Sequence, residues 1–207
     1  MGATNKWGRM ESCAAIVDRT AITVGPKVIT DSEITRRIRL AAFQNGQLPE
    51  FTDKTRRDAA QRLVDLKLVE REMDLGHYVR ATPEKSKALM DAFTAEHFHS
   101  SPEALRIALS TMNLTTDDLL AEFAEQADLL SFTTLRFRPA VDVSEQDIEA
   151  YYHSRMEGKV NPLMSLDDAR ATIEETLMSE RTDKALDAWL KDQRTRTRIV
   201  YLEKELE

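Results

Sequence analysis

A single cysteine, Cys13, is all the thiol this 207-residue chain carries. One cysteine forms no internal disulfide and makes no metal site by itself. It reads as an incidental or buried thiol rather than a nucleophile. Glycine and proline number six each, too few for the turns of a many-stranded sheet. Aromatic residues make up 6% of the chain and charged residues 31%, which suits an extended helical protein better than a compact α/β enzyme. No run approaches the ~20 apolar residues of a membrane span. The opening MGATNKWGRMES lacks the apolar stretch of a signal peptide. Residues 1–13 therefore read as a disordered leader, a cloning remnant or a mis-assigned start, and the missing signal leaves the compartment open. No long basic block occurs either. The densest basic run, Arg194 to Arg198, lies beside acidic segments in a chain of net charge −7. Nucleic acid is excluded as the main partner, because neutralising phosphates needs clustered Lys and Arg.

What is present is helix punctuation. After the leader, Ile16, Ile22, Val24, Val28 and Ile29 are β-branched around Gly25-Pro26-Lys27, which predicts a small hairpin. Thr30 with Glu33 forms a capping box for a helix striped by Ile34, Ile38 and Ala41 or Ala42, ending at Asn45-Gly46. Residues 52–75 give the clearest helix. Leu63, Val64, Leu66, Leu68 and Val69 crowd its middle, as in a bundle core helix, and Gly76 closes it. Thr82-Pro83 and Ser101-Pro102 pair a cap with an N1 proline, and Thr115 precedes Asp118 in capping-box relation. These starts predict helices over about 83–98, 102–111 and 116–137. Ser144 caps a helix to Met156. The polar joint EGKVNP follows, and Ser165 caps a last helix over about 166–194, with Ala169, Ile173, Leu177, Ala185, Trp189 and Leu190 as its buried positions. RIVYLE ends the chain as a short strand. A lone strand needs a partner for its backbone, and the other strands are at the N-terminus. The two chain ends are therefore expected to share one sheet, with the last helix returning onto the early ones. The fold class is mainly α with a small sheet, in one unit over residues 14–203.

Residues that could carry chemistry have plainer explanations. His97 and His99 are two apart and point to different helix faces, whereas zinc helices place ligands near i and i+4; His77 and His153 are too scattered to help. Asp117-Asp118 and Asp167-Asp168 suggest carboxylate pairs, but each falls in a first helical turn, where acids favour the dipole. Tyr151, Tyr152 and His153 fit an amphipathic helix end. Met73, Met90, Met112, Met156, Met164 and Met178 are scattered, as core filler rather than an adaptable stripe. No GxGxxG, GKS/T, GxSxG or CxxC motif is present. The expectation is no catalytic residues, no metal, no cofactor and no enzyme activity.

Four segments, in order, resemble the SurA-type chaperones and foldases of the bacterial envelope. The first is the hairpin run holding Val24, Ile29, Thr30, Ser32, Glu33 and Ile34. The second is the long helix RRDAAQRLVDLKLVEREMDL with its exit at Gly76 and Val79. The third is VDVSEQDIEAYYHSR from Val141. The last is the closing helix and strand, with Trp189, Leu190, Arg194, Ile199 and Tyr201 in matching places. The resemblance covers roughly residues 14–203. In the foldases of this family a parvulin-type prolyl isomerase domain of roughly 100 residues, an ordinary small-domain size, lies between the Tyr-Tyr helix and the closing helix. Here only residues 157–164 fill that gap, so the resemblance implies the chaperone core without the isomerase.

The expected function is ATP-independent binding of unfolded or nascent exported polypeptides, without prolyl isomerase activity. The alternative is a scaffold that uses the same fold for one protein partner. Expected partners are unfolded or extended polypeptides, with room for a homodimer; neither nucleic acid nor a membrane span is expected. The resemblance implies a periplasmic or other extracytoplasmic location. Shallow apolar grooves between helices would do the binding; Phe93, Phe98, Phe123 and Phe132 are candidate groove residues, though each fits the core better and none is assigned as a site.

Overall fold

The computed structural model describes residues 18–156 and 165–206. Cys13, Ile16, the expected leader and the joint over 157–164 lie outside the described residues. The chain is mainly α: seven α-helices and one three-stranded antiparallel sheet lie among the described residues.

The hairpin is β1 (Thr20–Val24) and β2 (Lys27–Thr30). Gly25 opens its two-residue loop at φ +56°, a left-handed conformation that glycine adopts without a Cβ penalty. The register of β1 on β2 shifts between Thr20 and Ile22. This bulge lets two consecutive residues, Ala21 and Ile22, both be buried. The C-terminal strand β3 (Ile199–Tyr201) pairs antiparallel with β1 on its other side, Ile22 opposite Tyr201 and Val24 opposite Ile199. The strand order is β2-β1-β3, so the first and last strands of the described chain meet in one sheet, as the lone strand required.

Every α-helix among the described residues begins at a Ser or Thr whose hydroxyl accepts a backbone N–H from the first turn. Helix α1 (Asp31–Gln44) starts from the Thr30–Glu33 capping box. Helix α2 (Asp53–Leu75) starts from Thr52 and Thr55. Helices α3 (Pro83–Phe98) and α4 (Pro102–Thr111) carry their N1 prolines. Helix α5 is Thr116–Arg136, α6 is Glu145–Tyr151 and α7 is Leu166–Arg196. The stretch expected as one helix to Met156 is divided: α6 stops at Tyr151 and a π-helical turn covers Tyr152–Met156. The wider turn goes with two adjacent tyrosines, Tyr151 and Tyr152, both packing on the same small cluster.

The core has four parts. The sheet packs on α1 and α2 through Ile22, Val24, Ile29, Ile34, Ile38, Ala60, Val64 and Leu68, and Leu206 from a 3-10 turn beyond β3 is fully buried among them. The end of α1 joins α4 and α5 around Phe43, Leu109 and Leu119, with Phe93 and Phe98 of α3 against them. Val69 and Met73 of α2 meet Phe132 of α5 and Trp189 of α7. Ile148 of α6 packs on Ala169 and Ile173 in the first half of α7. Helix α7 thus runs from this α6 cluster to α2 and the sheet.

Candidate functional site

Helix faces at the edge of the core converge on one groove. On α2, Thr55, Ala59, Arg62, Leu66 and Val69 repeat at helical spacing. They face Arg37, Ile38 and Ala41 of α1, Glu122, Gln126 and Leu129 of α5, and Leu186 and Leu190 of α7. Two cavities share Arg37, Ala41 and Arg62 as a common wall. The outer one, about 570 Å³, runs under the α1–α2 connection past Asn45, Gln47, Leu48 and Glu50. The inner one, about 340 Å³, is floored by Leu66, Val69, Leu129, Leu186 and Leu190. Leu48 overhangs the outer end with 82% of its surface exposed. Next to it Phe51 is half exposed, with the Arg39 guanidinium 5.8 Å from its ring centre.

Most charges in the groove are neutralised internally. The Arg37 guanidinium donates to both Glu122 and Glu125, clamping α1 to α5. Glu122 also accepts from the Gln126 amide at 2.9 Å. Arg194 of α7 holds Asp65 of α2 with two nitrogens, each at 2.8 Å. Burial pushes the Asp65 carboxyl above its ordinary value even though Arg194 pulls it down. Asp58 is paired with Lys54 at 3.3 Å. Arg62 is different: it lines both cavities, is exposed, and has no ion pair or hydrogen bond among the described residues.

The residues weighed for chemistry stay apart. His97 lies in the last turn of α3 and His99 is its left-handed C-cap, both exposed; no group of three metal-ligating side chains occurs among the described residues. Asp118 serves the N-terminus of α5. Partial burial raises its carboxyl, but the hydroxyl and amide of Thr115 and the nearby Arg36 outweigh that and hold it low. Asp168 accepts from the Ser165 hydroxyl at 2.6 Å, and Asp167 faces solvent. Tyr152 and His153 stack edge-on beside α6. The four candidate groove phenylalanines belong to the core, their plainer reading. Phe132 is fully buried, Phe123 is 7% exposed, and Phe93 and Phe98 are half-buried around Phe43; none lines the groove. The inner floor of the groove is aliphatic, and its Arg37 and Arg62 carried no sequence signal beyond two arginine-rich helices. Among the described residues no buried side-chain nitrogen or oxygen lacks a partner, and no helix is long and apolar enough to cross a membrane.

Compared with models of known protein families, the chain matches none, and comparison with curated proteins gives no match.

Proposed function

We propose that this protein is an ATP-independent, chaperone-like module that holds unfolded or nascent exported polypeptides in the groove between α1, α2, α5 and α7. The observation that carries the reading is the groove itself: two adjoining cavities open to solvent, the inner one with an aliphatic floor, whose wall charges are mostly paired with one another. An open groove with an apolar floor of this kind accepts many extended segments, because shape and sequence are only loosely specified. The resemblance to the SurA-type chaperones supports the same reading, together with an extracytoplasmic location and a lack of prolyl isomerase activity. Hydrophobic contact dominates binding on this reading, so affinity persists in moderate salt, which screens exposed charges over about 8–10 Å. Ordering a flexible chain offsets part of the gain, and micromolar affinity, about −8 kcal/mol, is expected.

The test is suppression of aggregation across several unrelated unfolded clients without nucleotide. Protection of several clients supports the reading. Protection of none, with tight binding to one folded protein, replaces it by a scaffold using the same fold for one partner.

A further inference from the structure

Once the internal ion pairs of the groove are assigned, its charge is simple. Arg37 is taken by Glu122 and Glu125, Asp65 by Arg194 and Asp58 by Lys54. Two charged side chains remain without a partner among the described residues: Arg62, where the two cavities meet, and Glu50, which lines the outer one with Leu48. A lone guanidinium beside an aliphatic floor attracts a carboxylate, with which it makes charge-assisted and preferably two-pronged hydrogen bonds. The floor on the inner side, Leu66, Val69, Leu129, Leu186 and Leu190, asks for apolar groups next to that carboxylate. The outer half is lined by Asn45, Gln47 and Thr55. The Gln47 amide is unengaged among the described residues and is suited to the donors and acceptors that recur along a polypeptide backbone. A simple fatty carboxylate offers the polar half nothing.

Building on the chaperone reading, we propose that the groove takes an extended polypeptide segment in which one acidic side chain, flanked by aliphatic residues, pairs with Arg62. The protein as a whole is acidic, so a generally acidic client is repelled. A single acid in an apolar context is what the local charge selects, and Glu50 disfavours a second acid at the outer end.

The experiment is fluorescence anisotropy with short labelled peptides of leucine, valine and alanine that differ only in a central Glu, Gln or Lys. Because Arg62 is exposed, the Glu peptide is expected to bind about two- to fivefold tighter than the Gln peptide. That difference should vanish in Arg62→Gln, reverse in favour of the Lys peptide in Arg62→Glu, and shrink with salt while the common apolar affinity stays. Arg62 has no partner among the described residues to lose, and unchanged helical circular dichroism checks that the variants are folded. Equal binding of Glu and Gln peptides overturns the role of Arg62 but leaves the groove reading standing. Binding of neither peptide overturns both. Binding of dodecanoate without any peptide assigns the groove to a small amphiphile and overturns the proposal. So does self-association on sedimentation that disappears in Arg62→Glu, because a second copy then fills the groove.

Discussion

Leu206 shows how much one side chain outside the regular elements contributes. It sits in a short 3-10 turn after β3, yet it is fully buried against the sheet and α2. Deleting a buried leucine side chain removes its transfer free energy and leaves a cavity. Leu206→Ala should lower stability by about 2–4 kcal/mol in a denaturant melt; a change within about 0.5 kcal/mol, as expected of a surface site, would show that the turn does not hold the fold. Arg136 is a second such residue. Its guanidinium lies 5.5 to 5.8 Å from the ring centres of Phe132, Phe137 and Trp189. It also pairs with Glu72 at 2.8 Å and donates to the Tyr78 hydroxyl at 3.1 Å. One cation thereby joins α2, α5 and α7 through aromatic faces as well as a carboxylate. Gly76 is needed nearby for space rather than conformation. Its φ is −87°, but a Cβ there would lie 2.5 Å from the Tyr78 ring, which itself stacks edge-on against Phe132.

At the scale of elements, α6 and the first half of α7 form a pair held differently from the rest. Its apolar cluster is small, centred on Ile148, Ala169 and Ile173. Ion pairs between Arg181 and Asp147, Arg170 and Glu145, and Arg138 and Glu175 join α7 to α6 and to the turn after α5. Hydrogen bonds from Ser144 and then Arg181 hold the Asp147 carboxyl at about 2, well below its ordinary value of 3.8. The Arg170 and Arg138 hydrogen bonds hold Glu145 and Glu175 below their ordinary values too. A carboxyl whose folded value is depressed contributes stability above its unfolded value and loses it as pH falls through the folded one. For Asp147 that window runs from near 4 down to about 2. The contact between α6 and α7 should therefore loosen over that acid range. Arg181→Gln removes one of the groups holding Asp147 down, so its loosening should begin at higher pH. Methyl resonances of Ile148 and Ile173 followed by NMR through an acid titration report this directly. Identical midpoints for the two proteins would mean that the ion pair does not fasten the helices.

Over the whole molecule, the sheet closes the chain on itself. The ends of the described chain meet at β1 and β3, Arg56 binds both Asp31 and Glu203, and Arg19 pairs with Glu203. Helix α7 is tied to α2 by Arg194 and Asp65 a few residues before β3. Removing residues 197–207 takes away β3, Leu206 and the Glu203 carboxylate together. The truncated protein should melt well below the full chain, by more than Leu206→Ala alone; equal melting temperatures would contradict the closure. At the same scale, the functional reading predicts that the protein does not accelerate a proline-limited refolding step. Acceleration above buffer that disappears when the protein is removed would overturn that reading.

Local chemistry made much of this molecule legible in its sequence. A cap is a contact between a hydroxyl and an amide two or three residues away, so Thr30, Thr82, Ser101, Thr115, Ser144 and Ser165 marked helix starts before any tertiary contact was known. Hydrophobic periodicity did the same for the core face of α2. The demand of a lone strand for backbone partners implied that the two ends pair. What the sequence left open was whatever depends on residues far apart along the chain. Composition could not say that Phe123 and Phe132 would be core while the groove was floored by leucines of α2, α5 and α7. Nor could it say that Arg37 would be consumed by Glu122 and Glu125 while Arg62, on a similar helix, would have no partner among the described residues. An arginine looks the same in sequence whichever carboxylate is near it. Only the packing of α1, α2, α5 and α7 against one another decides which charges cancel and which face the groove.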